Sequence, residues 1–289
     1  MVMQIEARLD KAFQVKFNMF GGEAVMNKKL ALLPSLAICI CKFVCGSALA
    51  EESIVTIDSR PGVTVGFIAT HAATPAKAVA ILFPGGGGKL KLWKGTEPQS
   101  KNFLVRSRNP FSERGVLAIT LDVPSDRRRN GLNNFRGTDE HRKDVAAVLK
   151  WVRKRTAAPL WLIGTSRGTV SLSYIAGKLP IDGVVFSASV TEESRRRPST
   201  ALDGELESIG VPVLLVHHWE DNCRVTPALR LSSIADRLTN SPKVEKLLFK
   251  GGKQPESNAC RSLSPHGFYG IEAKVVGSIV DWMIANGPS

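Results

Sequence analysis

Short apolar segments rich in β-branched residues recur along the chain from residue 51 onwards. The later segments are continuously apolar, which is typical of parallel strands that are buried on both faces of a sheet. The first two segments lie close enough together in sequence to form an antiparallel hairpin. Together the segments predict eight strands, at residues 54–57, 63–68, 79–83, 116–121, 160–163, 184–186, 211–216 and 244–249.

Segments with a helical period separate the later strands. In 138–155, apolar residues recur at i, i+3, i+4 and i+7, namely Val145, Val148, Leu149 and Val152. His141 falls on the charged face of this helix, so we expect its side chain to be solvated. A similar pattern predicts a final helix at about 268–285. The alternation predicts one α/β domain with a mostly parallel, doubly wound sheet and helices on both faces.

Two long polar connections, 89–113 and 187–210, interrupt the alternation. Connections of this length are usually functional or mobile. Both follow predicted strands at their carboxyl ends, where open α/β sheets bind their ligands. We therefore expect the two connections to lie near a binding site, and whether they form a lid stays open.

Residues 26–50 have the pattern of a cleaved signal peptide. Lys28 and Lys29 form a basic start, an apolar stretch follows, and residues 48–50 read Ala-Leu-Ala. These are the three parts that a secretory signal requires, in the required order. An uncleaved anchor helix is the alternative, but the apolar stretch is short for a membrane span.

The signal peptide predicts how the rest of the chain is organised. Residues 1–25 become an upstream extension, and Met26 is an alternative start of translation. Cleavage after Ala50 leaves 51–289 as the folded domain. We expect an exported protein, periplasmic or secreted, with no stable insertion in the membrane.

The chain is strongly basic, with a net charge of +13 at neutral pH. Residues 1–50 hold six basic and three acidic residues, so the remainder keeps 33 minus 23, or +10. A basic exported protein favours anionic surfaces or acidic substrates. The densest basic runs, at 127–129 and 195–197, lack interleaved aromatic residues. They are therefore typical of solvated loops, and we expect no nucleic-acid partner.

The motif Gly-Thr-Ser-Arg-Gly at 164–168 directly follows a predicted strand and directly precedes a helical segment. A nucleophile on such a tight turn needs small residues on each side, which explains Gly164 and Gly168. The helix amino terminus that follows favours a developing oxyanion. The motif in this context indicates Ser166 as a nucleophile, with a plain turn as the alternative.

A serine nucleophile needs a base and an acid that orients the base. His266 lies in a loop between the last predicted strand and the last helix, and Asp221 follows the strand at 211–216. The order Ser166, Asp221, His266 is that of the Ser-Asp/Glu-His arrangement found after G-x-S-x-G motifs. Glu220 is the alternative acid, and Asp221 as an ordinary loop cap stays open.

On these motifs the chain resembles the α/β-hydrolase superfamily over nearly all of residues 51–289. The matching segments are FPGGGG at 83–88, GTSRG at 164–168, VPVLLVHHWED at 211–221 and SPHGF at 264–268. The resemblance implies that Ser166 is the nucleophile, His266 the general base and Asp221 its orienting acid. It also implies an oxyanion hole formed by the backbone N–H groups of Arg167 and of the glycine run, where Gly86 is our choice and Gly85 and Gly87 are alternatives.

Two cysteines remain outside the predicted signal peptide, Cys223 and Cys260. In an exported chain a remaining pair suggests a disulfide. In the fold that the resemblance implies, the loops that carry Asp221 and His266 are neighbours. A Cys223–Cys260 bridge would tie these two loops together, with two free thiols as the alternative.

Metal and cofactor sites have little support in the sequence. His217 and His218 are adjacent and point to opposite sides of a strand end, and no further cluster completes a ligand set. Neither the glycine fingerprint of dinucleotide-binding folds nor the spacing of a P-loop is present. We therefore expect no metal and no cofactor.

The sequence thus predicts an exported serine hydrolase, most simply an esterase, that acts on a small-molecule acyl substrate. Arg167 and the arginine runs favour an anionic substrate, with an ion pair between Arg167 and a neighbouring carboxylate as the alternative. The alternative is a non-catalytic module that keeps this fold and binds anionic envelope components. The acyl group, the leaving group and the oligomeric state are not predicted.

Overall fold

A computed structural model describes residues 51–72, 75–95, 97–98, 100–195 and 197–288. The predicted signal peptide, 26–50, and the predicted upstream extension, 1–25, lie outside the described residues.

All eight predicted strands form, and they join in a single sheet. The order across this sheet is β1-β2-β4-β3-β5-β6-β7-β8. β2 runs antiparallel to both of its neighbours, β1 and β4. Every other pair of neighbouring strands in this order, from β4 to β8, is parallel. The predicted α/β fold class is therefore confirmed. The strands are β1 (Glu52–Arg60), β2 (Val63–Thr70), β3 (Ala78–Phe83), β4 (Val116–Pro124), β5 (Leu160–Thr165), β6 (Gly183–Ser187), β7 (Val213–His218) and β8 (Val244–Phe249).

Helices cover both faces of the sheet. They are α1 (Phe103–Arg106), α2 (Arg108–Glu113), α3 (Asp139–Arg153), α4 (Arg167–Ile175), α5 (Leu231–Ala235) and α6 (Glu272–Asn286). Apolar residues of α3, α4 and α5 pack on one face, and those of α1, α2 and α6 pack on the other. The alternation along β3 shows why both faces are apolar, since Ile81 faces the first layer and Leu82 the second. Among the described residues, no helix has both the length and the apolar character that spanning a membrane requires.

The last helix begins four residues later than the sequence pattern suggests. A short 3₁₀ turn, Pro265–Gly267, precedes it, and Phe268 ends that turn with a φ of 55°. This left-handed conformation cannot continue into an α-helix. The chain therefore makes a separate turn around His266 before α6 starts at Glu272.

His141 is buried, and the prediction of a solvated side chain is wrong. Its exposed fraction is 3%, and its Nε2 lies 3.0 Å from the hydroxyl of Ser171. The buried stripe of α3 extends one turn further towards the amino terminus than its apolar residues indicate, because His141 and Asp144 share the face of Val145 and Val148. Polar residues on a buried face escape a pattern that is read from apolar residues alone.

The burial of His141 makes stability depend on pH. Burial, together with the positive charges of Arg136 and Arg60, lowers the pKa of His141 from 6.5 to about 3. Between these two values the unfolded chain binds the proton and the folded chain does not, so stability falls as the pH falls below about 6.5. We expect this histidine to contribute a loss of ~2–3 kcal/mol in the free energy of unfolding between pH 7 and pH 4.5.

Urea unfolding of the wild type and of His141→Gln at several pH values between 4.5 and 7 would measure this loss. Glutamine retains a polar group that can reach Ser171 but does not titrate. The variant should therefore lose less stability on acidification than the wild type. Equal pH slopes for the two proteins would contradict the assignment.

Candidate active site

Ser166 lies on the turn between β5 and α4, as the sequence predicts. Its φ of 51° and ψ of −125° place it in a conformation that residues with a side chain rarely adopt. Such strain costs about 1–3 kcal/mol and persists only where the surroundings enforce it. One enforcing contact is the hydrogen bond that the Ser166 amide donates to the carbonyl of Ser187, at 3.0 Å.

The glycines around this turn are required by close contacts. A Cβ on Gly168 would lie 2.1 Å from the carbonyl oxygen of Phe83, and a Cβ on Gly164 would lie 2.8 Å from the backbone of Gly168. A Cβ on Gly85 would lie 3.0 Å from the Cβ of Ser166. The absence of side chains at these positions lets α4 and the glycine run pack tightly around the serine.

Asp221 and His266 form a hydrogen-bonded pair. The loops that carry them follow β7 and β8, which are adjacent parallel strands. Nδ1 of His266 lies 2.9 Å from Oδ2 of Asp221, and the two residues are only 6% and 8% exposed. This contact orients the imidazole with Nε2 as its free nitrogen.

Three further contacts hold the Asp221 carboxylate. The amide of Cys223 donates to Oδ1 at 2.9 Å, the hydroxyl of Thr226 donates to Oδ2 at 2.9 Å, and Nε2 of His217 lies 3.3 Å from Oδ2. Burial by itself would raise the pKa of Asp221. The hydrogen bonds with His217 and His266 outweigh burial and hold the pKa of this carboxyl well below its usual range. Asp221 is therefore ionised at neutral pH.

No sequence pattern identifies Thr226 and His217 as parts of this site. Thr226 comes five residues after Asp221 in a loop without a recognisable motif, and only the folding of that loop brings its hydroxyl to the carboxylate. The position of His217 at a strand end does not indicate a role for it beside the carboxylate. In the structure the Nε2 of His217 also lies 2.8 Å from the carbonyl of Thr226. This histidine therefore stabilises the loop that carries Asp221.

Glu220, the alternative acid, is placed elsewhere. Its side chain is exposed, and its carboxylate accepts a hydrogen bond from the amide of Gly251 at 3.3 Å. His218 turns in the same direction, since its Nε2 lies 2.8 Å from the carbonyl of Gly251. The structure therefore brings Asp221, and not Glu220, to His266.

Ser166 and His266 line one cavity of about 300 Å³, together with the glycine run 85–88. Within the described residues, the hydroxyl of Ser166 forms no hydrogen bond to His266. Contacts of this kind are often long without a substrate and shorten when one binds. The common cavity puts His266 beside any group that binds at the serine.

The residues predicted to form an oxyanion hole lie beside Ser166. Gly86 lines the same cavity, and its φ of 59° favours glycine. The amide of Arg167 is the first of α4 and has no intrahelical acceptor. Among the described residues, the amide of Gly86 also donates no hydrogen bond.

Arg136 fixes the shape of the glycine run. Its guanidinium is buried and donates to the carbonyls of Pro84 and Gly86, both at 3.2 Å, and to the hydroxyl of Ser171 at 2.8 Å. These hydrogen bonds tie the carbonyls of Pro84 and Gly86 to the loop before α3 and satisfy them inside the protein. Sequence reasoning missed this residue, because an arginine at the end of a polar loop carries no signal of burial.

The disulfide between Cys223 and Cys260 is present, with a Cα–Cα distance of 4.6 Å. It joins the loop of Asp221 to the loop of His266. Asp221, Cys223 and His266 place potential metal-ligating atoms within 4.8 Å of one another. The sulfur of Cys223 is engaged in the disulfide, however, and cannot act as the thiolate that a metal would need.

Comparisons with known proteins agree with this architecture. An esterase from Pyrococcus furiosus superposes with a TM-score of 0.60 at 12% identity, covering 83% of this chain and 92% of its own. An alpha-beta serine hydrolase homologue from Coxiella burnetii gives a TM-score of 0.55 at 16% identity, covering 81% and 96%. The esterase domain of a Rhodothermus marinus protein gives 0.55 at 14% identity, covering 81% and 98%. The protein has the α/β-hydrolase fold.

No protein-family profile matches the sequence, and the comparison with curated proteins found no match. At 12–16% identity the α/β-hydrolase fold is what these structures share with the chain. In this α/β-hydrolase fold, Ser166 follows β5, Asp221 follows β7 and His266 follows β8. All three therefore lie at the carboxyl edge of the parallel strands, where such sheets bind ligands.

Proposed function

We propose that the protein is a serine hydrolase that cleaves a carboxylic ester of a small molecule. Thioesters and amides are related substrates that the same residues could cleave. The observation that carries the proposal is the buried Asp221–His266 hydrogen bond in the wall of the cavity that also contains the strained Ser166. The superposed esterases support a hydrolase in general and not a particular substrate.

In the first half of the reaction, His266 takes the proton of the Ser166 hydroxyl as Oγ attacks the carbonyl carbon. The carbonyl oxygen becomes an oxyanion, which the amides of Gly86 and Arg167 stabilise by hydrogen bonds. The intermediate then collapses, the bond to the leaving oxygen breaks, and His266 returns its proton to that oxygen. Ser166 now carries the acyl group.

In the second half, water replaces the alcohol. His266 removes a proton from the water as it attacks the acyl carbon, and the resulting intermediate expels the oxygen of Ser166. The proton passes from His266 to the serine, and the acid product leaves. Asp221 stays ionised throughout, which keeps the imidazole oriented and stabilises its positive charge.

The proposal includes export. Residues 26–50 have the pattern of a signal peptide, and a disulfide between the acid and base loops suits an oxidising compartment. In the periplasm or outside the cell the bridge would persist. We therefore propose that the active protein lies outside the cytoplasm.

The test is covalent labelling with a fluorophosphonate, which needs no knowledge of the substrate. We expect the purified wild type to react with one equivalent, and Ser166→Ala and His266→Ala to lose the reaction. Ser187→Ala is a matched control, because Ser187 is a buried serine whose backbone carbonyl, and not its hydroxyl, contacts Ser166.

Each other result has a definite meaning. Labelling that survives Ser166→Ala would show that another nucleophile reacts and would overturn the assignment. A folded wild type that does not react at all would favour the alternative, a binding module for anionic envelope components.

A further inference from the structure

Two cavities meet at Ser166. The first is the cavity described above, which His266 lines, and we call it the histidine cavity. The second has a volume of about 420 Å³ and lies towards the connection after β6 and the loop after Asp221. We call it the arginine cavity, because its lining includes Arg167, Arg197, Arg224 and Arg261.

The chemistry of the proposed reaction assigns one half of the substrate to each cavity. His266 must deliver a proton to the leaving oxygen, so the leaving group has to occupy the cavity that His266 lines. Ser166 and Gly86 line both cavities, which places the reacting carbonyl at their junction. The acyl chain then extends into the arginine cavity.

The arginine cavity carries positive charge without matching negative charge. Within the described residues, Arg167, Arg197, Arg224 and Arg261 have no carboxylate within ion-pair distance. Glu192 also lines the cavity, but its carboxylate pairs with Arg230 at 3.0 Å. The four guanidinium groups therefore have no anionic partner of their own in the described part of the chain.

Arg167 supplies a second observation. Its side chain is 8% exposed, and one of its terminal nitrogens donates to the carbonyl of Ser199, while its buried Nε has no partner among the described residues. A buried guanidinium with an unsatisfied donor is costly unless an acceptor can reach it. An anion that enters the cavity would provide a compensating charge.

The arginines also repel one another. Burial lowers the pKa of Arg167, and the positive charge of Arg197 lowers it further, while the negative charge of Asp203 opposes them without outweighing them. Burial and the charges of Arg167 and Arg197 lower the pKa of Arg136 behind them to about 9. Like charges held together in this way favour a bound anion, because it relieves their repulsion.

We propose that the arginine cavity binds a terminal anionic group, a carboxylate or a phosphate, on the acyl half of the substrate. This inference rests on the proposed serine hydrolase activity and adds the class of acyl group. Arg197 and Arg224 line the arginine cavity and not the histidine cavity, so they are the residues that distinguish the acyl half from the leaving group.

Two esters of equal chain length test the proposal. 4-Nitrophenyl hexanoate has a neutral acyl chain, and the 4-nitrophenyl monoester of adipic acid replaces its terminal methyl with a carboxylate. We expect kcat/KM of the full-length protein to be at least about tenfold higher for the adipate ester. Added salt, at 0.5 M NaCl, should reduce this preference, because Arg197 and Arg224 are reached by solvent.

The variants locate the effect. Arg197→Gln/Arg224→Gln should lower kcat/KM for the adipate ester about tenfold and change that for the hexanoate ester less than about twofold. Arg155→Gln is a charge control that removes one positive charge, where the double variant removes two. Arg155 stacks on Trp151 beyond the end of α3, near the amino ends of the parallel strands and away from the cavity.

Failure of this inference differs from failure of the proposed function. A protein whose Ser166 reacts with a fluorophosphonate but that does not prefer the adipate ester, or that cleaves neither ester, overturns the anionic acyl group and leaves the serine hydrolase in place. A preference that survives in the double variant also overturns it. A protein that neither reacts with the fluorophosphonate nor hydrolyses either ester overturns both the anionic acyl group and the serine hydrolase.

Discussion

Replacing Asp221 with asparagine should lower kcat by about 10³–10⁴-fold and leave the protein folded. An asparagine amide can donate a hydrogen bond to Nδ1 of His266, which would leave the proton on Nε2. The imidazole then cannot accept the proton of Ser166. The variant also loses the negative charge that stabilises the protonated imidazole. Hydrolysis of 4-nitrophenyl acetate and the rate of fluorophosphonate labelling would both measure this loss.

Glu220→Gln is the matched control for this experiment. It neutralises a carboxylate one residue away, whose partner is the amide of Gly251. We expect its activity to stay within about twofold of the wild type, because surface charges contribute little. If Glu220→Gln loses activity and Asp221→Asn keeps it, Glu220 is the orienting acid and the assignment made here is wrong.

Removing the disulfide with Cys223→Ala/Cys260→Ala should lower the free energy of unfolding by about 4 kcal/mol. The bridge spans 37 residues, and without it the unfolded chain gains the entropy of an open loop of that length. A loss of this size should lower the melting temperature by about 10 °C. Chemical denaturation and calorimetry of both proteins would measure it.

The same bridge should affect activity, because the amide of Cys223 donates directly to the Asp221 carboxylate. Reduction of the wild type with dithiothreitol should reproduce the stability of the double variant, and the double variant itself should not respond to the reductant. A reduced wild type that keeps its full stability would contradict a structural role for the disulfide.

The sequence predicts the strands and helices of this fold well, because these elements depend on local patterns of residues. Most strands of the sheet contain a short apolar segment, and α3 appears through an apolar stripe. Ser166 is recognisable for the same reason, since the turn, its glycines and its flanking elements are contiguous. Asp221 and His266 could be chosen because each follows an identifiable strand.

Features that depend on distant packing could not be predicted in this way. The burial of Arg136 and His141 follows from how the loop before α3 and the helix itself fold against the glycine run and α4. Thr226 reaches Asp221 only after its loop closes. Arg197 and Arg224 lie on two loops that β7 separates in sequence, and they line the same cavity. No sequence pattern shows that these two side chains come together.

The backbone at Ser166 has a consequence for how this protein could change. Glycine would adopt its φ of 51° and ψ of −125° without the strain that serine bears. Selection or engineering for thermal resistance alone would therefore gain from a glycine at this turn and would discard the hydroxyl. A serine in this strained conformation therefore indicates that the protein requires the hydroxyl more than it requires the additional stability.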